Sequence, residues 1–571
     1  MGPILSTASF PLPTEPLPTE EPMAWVRVQG IRKANSCRPF FFLLIVFCAA
    51  CGEEEISLKV ASMQDGVPLR SQHILAVTHV DEKIPGRAEA IRYCQTCHIF
   101  AEPDLLDKGT LRNFILPFLA ERLGVPAGTA DLPQNPIAKQ HDPKALEVLT
   151  KAGVYSKYPL LPLDAWPKIV AYYLHAAPEE ALPQAKKDRV RQSLPQFEVF
   201  KPDYRTPMPF TTLVAIDAQK GWIYTGDSAE NSLAVLDGNG KVLQKIASIP
   251  SPVAIDLRTE EAWITSIGSV FPSDNPQGKL LVLKKDQGKL TVPPQEILTG
   301  LARPTFTGYA DLNDDGLEDI VMSGFGYMVG HFSWLEQIAK GQYREHMLNK
   351  EPGAISSAVH DFNRDGLPDI AVLMGQAREG VFIYYNLGGG KFAESYEIQW
   401  PPSYGAAHMS LVDFNGDGAM DFITANGDNA DYTPFAKRYH GVRIYINDGE
   451  NRFDEAFFYP LNGAYKALPV DFDGDGDLDI AAICFFPDYE KAPEESFVYL
   501  ENSGEMGFIA HSFPEAIDAR WLTMDAGDID GDGDEDLVLG AFVRGASNVP
   551  PELEKRWQQA TSLLILRNKR F

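Results

Sequence analysis

Two cysteines and a histidine lie within five residues of one another in a chain that is otherwise poor in cysteine. Cys94, Cys97 and His98 form the pattern Cys-x-x-Cys-His, and the 571 residues contain only 6 cysteines. On a helix, positions i and i+3 share a face and i+4 lies beside them. The thiols of Cys94 and Cys97 can thus form thioethers with the two vinyl groups of one haem. The imidazole of His98 can then bind the iron of the same haem. The pattern predicts covalent attachment of a c-type haem.

Three other interpretations of this motif stay open. A structural zinc site needs further ligands at matching spacing, and after Cys51 the sequence has no second cysteine pair. A thioredoxin-like redox pair needs a preceding strand within a βαβ unit, whereas the flanking residues have a helical pattern. A pattern of five residues also occurs by chance. An export signal, a helical context and a small surrounding segment together favour haem.

A targeting segment precedes the motif. In "RVQGIRKANSCRPFFFLLIVFCAAC" a basic part is followed by the apolar run Phe40–Phe47 and by small residues before Cys51. This is the three-part pattern of a secretory signal, and the run is short for a membrane span. "CAAC" resembles the lipobox of bacterial lipoproteins, which implies lipidation of Cys51, although that pattern usually has Leu where Cys48 stands. An ordinary signal cleaved nearby is the alternative.

These observations predict an exported protein on the periplasmic or cell-surface side, anchored to a membrane by lipid. Residues 1–50 would be the signal segment, with Met23 as an alternative start, and residues 51–85 a linker after the anchor. Cys484 lies in the apolar run "LDIAAICFF" and is predicted to be a buried thiol.

Residues 86–185 have a helical pattern. Gly124 would end the second of four segments and Pro117 would bend it, while Pro143 begins the third and Gly153 ends it. The four segments are "RAEAIRYCQTCH", "DKGTLRNFILPFLAERLG", "DPKALEVLTKAG" and "PLDAWPKIVAYYLHAA". They predict a small all-α domain.

From about residue 196 to residue 571 the pattern changes to short strands bounded by Gly, Asn and Asp. One motif occurs five times, at spacings of 50, 52, 58 and 57 residues by subtraction, and it starts at Asp311, Asp361, Asp413, Asp471 and Asp528. Two weaker copies surround Asp217 and Asp256. Such periods predict a propeller, here with seven blades. The last unit is one strand short, and "FEVFKP" at Phe197 would complete it and close the ring.

Each strong copy has the form Asp-x-(Asp/Asn)-x-Asp-Gly-x-x-Asp, in which alternate oxygens can converge on one hard cation such as Ca²⁺. No Glu follows at position twelve and no helices flank the loops, so they are not EF-hands; Asx-turns without metal are the alternative. The predicted ligands are Asp311, Asn313, Asp315, Asp319, Asp361, Asn363, Asp365, Asp369, Asp413, Asn415, Asp417, Asp421, Asp471, Asp473, Asp475, Asp479, Asp528, Asp530, Asp532 and Asp536.

The loops resemble the calcium loops of FG-GAP/VCBS repeats, as in the integrin α-subunit propeller. This resemblance implies up to five calcium ions bracing the blades over residues 196–571. Residues 87–182 resemble a mono-haem cytochrome c domain. That resemblance implies one haem c, with Cys94 and Cys97 as its attachment points and His98 as the proximal ligand. The expected fold is therefore multi-domain: a small all-α cytochrome c domain followed by an all-β seven-bladed propeller.

The second axial ligand is not fixed by the sequence. No Met lies between His98 and Met208, and Met208-Pro209 has the look of the cytochrome ligand loop. His141, His175 and an open site are the alternatives. Methionine ligation raises the potential and suits electron transfer, whereas an open site allows small ligands to bind.

Three functions fit these features. The first is one-electron transfer by an anchored cytochrome whose propeller is a docking or binding platform, with a redox protein or a small electron donor or acceptor as partner. The second is an oxidoreductase with a substrate or cofactor site on the propeller, and the third is a surface-binding or adhesion protein. The first explains every motif, so electron transfer is favoured over substrate conversion. The net charge of −27 excludes nucleic acid as a partner.

Overall fold

The computed structural model describes residues 84–135, 143–429, 436–545 and 549–569. The predicted signal, linker and lipidation site at Cys51 lie outside the described residues, as do Met23 and His141. Among the described residues, no helix has the length and apolar character needed to cross a membrane.

The N-terminal part of the described chain is helical. Its helices are α1 (Arg87–Cys94), α2 (Lys108–Thr110), α3 (Leu116–Arg122), α4 (Pro143–Ala152) and α5 (Ala165–Ala176). A short 3₁₀ turn covers Pro103–Leu105, and a π-helical turn, Leu111–Ile115, joins α2 to α3. We call residues 84–185 the helical module.

The sequence signals for helix ends correspond to the observed ends. Gly124 and Gly153 follow the ends of α3 and α4 with φ of 67° and 65°, the left-handed conformation that glycine adopts without strain. Pro117 lies in the first turn of α3, directly after the π-helical turn. Proline lacks the N–H that a continuous α-helix would use there, so the helix is irregular at this point.

The rest of the chain forms seven antiparallel sheets, arranged as the blades of a propeller. Blade 1 contains β2 (Thr211–Asp217), β3 (Trp222–Asp227), β4 (Ser232–Asp237) and β5 (Val242–Ala247). Blade 2 contains β6 (Pro252–Leu257), β7 (Glu261–Ser266), β8 (Gly278–Asp286), β9 (Lys289–Leu290) and β10 (Gln295–Leu301). Blade 3 contains β11 (Pro304–Ala310), β12 (Asp319–Gly324), β13 (His331–Ala339) and β14 (Gln342–Asn349).

The next three blades repeat the same four-stranded order. Blade 4 contains β15 (Ala354–His360), β16 (Asp369–Met374), β17 (Gly380–Asn386) and β18 (Phe392–Gln399). Blade 5 contains β19 (Ala406–Val412), β20 (Asp421–Asn426), β21 (Gly441–Asn447) and β22 (Phe453–Pro460). Blade 6 contains β23 (Ala464–Val470), β24 (Asp479–Cys484), β25 (Phe497–Asn502) and β26 (Phe508–His511).

Blade 7 joins the two ends of the propeller. It contains β27 (Trp521–Gly527), β28 (Asp536–Ala541) and β29 (Leu563–Asn568), with β1 (Phe197–Phe200) as its outer strand. A short helix, α6 (Pro551–Trp557), precedes β29. Phe197 pairs with Asn568, and Phe200 with Ile565. The seven-bladed propeller and its closure by the strand at Phe197 are therefore confirmed.

The hydrophobic core lies within and between the blades. The second strand of each of blades 3–7 is fully buried, as expected of a strand covered on both faces. Cys484 ends one of these strands and is 0% exposed, which confirms the predicted buried thiol. The weaker repeats at Asp217 and Asp256 form the first hairpins of blades 1 and 2.

The aspartate motifs and the helical module lie at opposite ends of the propeller. Each motif connects the first and second strands of its blade, so all five lie at one end. The helical module contacts blade 5 between its second and third strands, where Arg438 and Tyr439 lie. Asp104 forms a 2.8 Å ion pair with Arg438, and the Tyr439 hydroxyl donates to the carbonyl of Leu105 at 3.0 Å. The side chain of Leu105 packs on the core of blades 4 and 5.

The contact between Asp104 and Arg438 is expected to fix the helical module on the propeller. Both side chains are largely buried, so Asp104→Ala leaves a guanidinium without its carboxylate in a dry site. Breaking such a pair costs about 3 kcal/mol, and we expect faster hydrogen exchange in the Pro103–Leu105 turn. The matched control is Lys168→Met, which removes the solvent-screened ion pairs of Lys168 with Glu89 and Asp164 and costs about 1 kcal/mol or less. Equal effects of the two variants would contradict this role.

A buried carboxyl group in blade 4 predicts a pH-dependent stability. Glu379 is 4% exposed, and burial raises its pKa to about 8, against the opposing effect of the Ala406 N–H. The folded state therefore holds this proton more tightly than the unfolded state. Its stabilising contribution is complete below the unfolded pKa of 4.5 and is lost as the pH rises through about 8.

Glu379→Gln removes this titration. Relative to the unmodified protein, the variant is expected to gain about 2–4 kcal/mol of unfolding free energy between pH 5 and pH 8. Urea unfolding at both pH values measures the difference, and exposed Glu490, changed to Gln, is the control. A pH-independent difference would show that Glu379 does not titrate in this range.

Candidate functional site

The Cys-x-x-Cys-His motif lies at the end of α1, although its position differs from the prediction. The helix ends at Cys94, residues 95–97 form a turn and the chain bends at His98, so the expectation that Cys97 and His98 continue the helix is wrong. The Thr96 hydroxyl donates to the carbonyl of Tyr93 at 2.8 Å. A threonine that bonds to a nearby carbonyl competes with the next helical hydrogen bond, which explains the early end.

The two thiols have different surroundings. Both cysteines are free. Cys94 packs against the core of the helical module and contacts the Tyr173 hydroxyl, and burial raises the pKa of its thiol to about 11. Cys97 is exposed, with its Sγ 3.7 Å from the hydroxyl of Thr96. One thiol thus faces the interior and the other the surface.

His98 is held in the tautomer that a metal ligand requires. Its Nδ1 lies 2.7 Å from the carbonyl oxygen of Ile99. A carbonyl only accepts, so Nδ1 donates and Nε2 keeps its lone pair. Burial lowers the pKa of the imidazole, which favours the neutral form. Two free thiols and an imidazole with an available Nε2 are the donor set of a covalent haem, and the residues present fit that group.

Helix α5 supports the segment that follows the motif. The Tyr173 hydroxyl donates to the carbonyl of Ala101 at 2.9 Å, while Arg87 binds both Glu102 and the hydroxyl of Tyr172. The Arg87 guanidinium also lies over the ring of Phe100, 5.4 Å from its centroid. The turn after the motif is therefore tied to the first and last helices of the module.

The structure bears on the zinc interpretation and on the second axial ligand. In the part of the chain that the structure describes, no group of three close metal-ligating side chains includes Cys94, Cys97 or His98. Met208 is 45% exposed and lies in the propeller, beside Pro209, whose carbonyl accepts from the N–H of Val543. His175 is exposed in the last turn of α5.

The loops of blades 3, 4 and 5 form closed networks of hydrogen bonds. In the first of them, Asp311 accepts from the backbone N–H groups of residues 315 and 316, and the Asn313 amide donates to Asp315 at 3.1 Å. The corresponding amides, Asn363 and Asn415, donate to their own aspartates at 2.9 and 2.8 Å. Each of these amides stabilises a neighbouring carboxylate by donating a hydrogen bond, so the three loops also fit the alternative of Asx-turns.

The loops of blades 6 and 7 differ from the other three because aspartate replaces asparagine at the third position of the motif. Among the described residues, three carboxylates have oxygens within 4.8 Å of one another at only two places. The first group consists of Asp471, Asp473 and Asp475 in blade 6, and the second of Asp528, Asp530 and Asp536 in blade 7. Burial raises the pKa of Asp473 and of Asp530, and the neighbouring carboxylates add to this effect. A divalent cation would offset this repulsion, so the donor set fits Ca²⁺.

The ninth residue of each loop has a structural role that the sequence did not reveal. All five of these aspartates are 0% exposed. Asp319 accepts from the N–H of Leu312, near the start of its loop, and from the N–H of Gln337 on the third strand. Asp369, Asp421, Asp479 and Asp536 make the same pair of bonds in their own blades. Each of them therefore fastens a loop to its sheet.

The histidines of the propeller occupy separate positions. His331 and His346 bond to Glu345 and Glu336 in blade 3. His408 lies on the innermost strand of blade 5, His440 is buried beside Tyr439, and His511 ends blade 6.

The comparisons with known proteins identify the repeats. A family model described as an FG-GAP-like repeat matches residues 311–372 and 361–424, so the chain contains FG-GAP-like repeats in this region. The two matches contain the first three aspartate loops. No curated protein matches the chain.

Several solved structures are similar to part of this chain. One is a chain from the complex of S. cerevisiae Dbp5 with Nup159, Gle1, IP6 and ADP, at 12% identity and a TM-score of 0.37, covering 66% of this chain and 97% of the other. The Dos1 propeller has 9% identity and a TM-score of 0.38, covering 63% and 78%. BBS1N in complex with ARL6DN, soaked with lead, has 10% identity and a TM-score of 0.39, covering 66% and 98%. These similarities are too weak to support a functional argument.

Proposed function

We propose that the protein is an exported, lipid-anchored c-type cytochrome that transfers single electrons, and that its calcium-braced propeller is a docking or binding platform. The observation that carries the proposal is the donor set at the end of α1. Two free thiols lie three residues apart, and the adjacent imidazole keeps Nε2 available. A bound haem supplies an iron that gains and loses one electron.

The residues around the motif have defined roles in this proposal. Cys94 and Cys97 would hold the group covalently, from the buried and the exposed side respectively. His98 would bind the iron through Nε2, because the Ile99 carbonyl accepts from Nδ1 and orients the ring, as hydrogen-bond acceptors do for metal-bound histidines. Tyr173 fixes the following segment through the carbonyl of Ala101. Met208, His141 or His175 would supply a second iron ligand, or the protein would supply none.

The propeller supports the second half of the proposal. A β-propeller with FG-GAP-like repeats provides a broad surface for binding, and the helical module is fixed to it at Asp104 and Leu105. A partner that docks on the propeller would therefore meet the module in one orientation. Calcium in the aspartate loops would brace the blades at the opposite end. Export and lipidation at Cys51 rest on the signal pattern.

The test is to express the full chain with its own signal in a host that matures c-type cytochromes. We expect the mature chain to gain the mass of one haem, to begin at a lipidated Cys51 and to show a reversible redox spectrum. A colourless chain with no added mass would overturn the haem proposal. A haem-loaded chain without lipid would overturn the anchor alone. Reduction by a small molecule without a partner protein would favour an oxidoreductase instead.

A further inference from the structure

The ring of blades is closed at a single seam, where β1 pairs with β29. The Asn568 side chain donates to the carbonyl of Phe472 at 2.8 Å, and its backbone N–H donates to Asp536 at 2.8 Å. Gln196, just before β1, donates to the same Phe472 carbonyl at 2.9 Å and also contacts Asn568. The two ends of the propeller are thus joined to each other through the loops of blades 6 and 7.

Aromatic packing links the same loops to β1. The ring of Phe197 lies 5.3 Å from that of Phe472 and 5.6 Å from that of Tyr499, measured between centroids. The Tyr499 hydroxyl donates to Asp479 at 2.7 Å. The first residue of β1 therefore rests on the loop of blade 6, and the last residue of β29 is bonded to the loop of blade 7.

These are the two loops in which three carboxylates converge. Blades 3, 4 and 5 have an asparagine at the third position, and its amide donates to the neighbouring aspartate. Blades 6 and 7 have Asp473 and Asp530 there, which donate no hydrogen bond. The loops with the greatest need for a cation are thus the loops that hold the seam.

We infer that cation occupancy of the loops at 471–479 and 528–536 controls closure of the propeller. This inference rests on the calcium bracing in the proposed function. With a divalent cation bound, the carboxylates are held together, and Phe472 and Asp536 stay in place for Gln196 and Asn568. Without it, mutual repulsion makes transient opening of the two loops more frequent, and β1 separates from β29 more readily than any other pair of strands does.

Hydrogen exchange on the full chain, with calcium or with a chelator, tests the inference. We expect chelation to speed exchange of residues 197–200 and 563–568 by about tenfold or more, since local opening sets the exchange rate. The strands Gly380–Asn386 and Phe392–Gln399 of blade 4 are the internal reference. Their exchange is expected to change by less than about twofold under the same conditions.

Two sets of variants locate the effect. Asp473→Asn together with Asp530→Asn gives both seam loops the composition of the others, and we expect the chelator effect at the seam to fall below about twofold. Asn363→Asp is the matched control, because it adds a third carboxylate in blade 4, far from the seam. It should leave exchange at the seam unchanged.

The outcomes separate this inference from the proposal on which it rests. Calcium titration by calorimetry shows whether the chain binds the ion at all, and a lack of binding overturns both. A second outcome is that calcium binds while chelation speeds exchange equally in all blades or leaves exchange at the seam unchanged. In that case the proposed calcium bracing is still supported, and the control of closure is wrong. If the variant with Asp473→Asn and Asp530→Asn keeps the full effect of chelator on exchange at the seam, the control of closure is also wrong. Haem content has no part in this test.

Discussion

Replacing both Cys94 and Cys97 with alanine is expected to reduce covalently bound haem to less than about a tenth of the wild-type amount, because no thioether can form. Each single variant keeps one bond and should retain intermediate haem. If haem is attached as proposed, His98→Ala would keep both thioethers but would remove the imidazole that the Ile99 carbonyl orients. We therefore expect normal haem mass in that variant, with an altered spectrum and a shifted reduction potential.

Cys484→Ala is the matched control for these substitutions. Cys484 is buried in blade 6, so its loss removes a thiol without touching the helical module. Haem content should not change. The measurement is the mass of the mature chain, combined with its absorbance under denaturing conditions, where only covalent haem stays attached. Equal haem in the double cysteine variant and in the control would contradict the attachment site.

The propeller was predictable because its signals are local and repeated. Each copy combines an apolar strand with a turn whose residues have few other uses, and five copies in register exclude most other folds. The closing strand at Phe197 was predictable for a different reason, since the last blade had only three strands of its own and an open edge is unfavourable. The helix ends at Gly124 and Gly153 follow from the left-handed conformation of these glycines.

The features that the sequence did not reveal depend on contacts between distant residues. Asp104 and Arg438 are separated by 334 positions, and nothing near either residue indicates the other. The end of α1 at Cys94 depends on one hydroxyl, that of Thr96, because the helical pattern continues past it. The ninth aspartates resemble cation ligands in spacing, whereas their paired bonds to a loop and to the third strand appear only in the folded blade.

These aspartates connect the chemistry of the loops with the stability of the sheets. Asp536 is 0% exposed, and it accepts from the N–H of Ile529 at 3.1 Å and from that of Asn568 at 2.8 Å. Asp536→Ala leaves both donors buried without their acceptor. Each such donor costs about 1–3 kcal/mol, so we expect a loss of about 2–5 kcal/mol in unfolding free energy. Part of this loss should appear as faster exchange in β29, which carries Asn568.

Measuring the unfolding free energy in chelator separates the effect of metal binding from the effect of the Asp536 hydrogen bonds. Asp532→Ala removes an exposed carboxylate of the same loop, which makes no bond to the third strand in the described residues. In chelator, Asp532→Ala should change stability by less than about 1 kcal/mol, while Asp536→Ala keeps its full effect. With calcium present, both variants should weaken binding. If the two variants lose the same stability in chelator, Asp536 acts only through the cation and does not fasten the loop to the sheet.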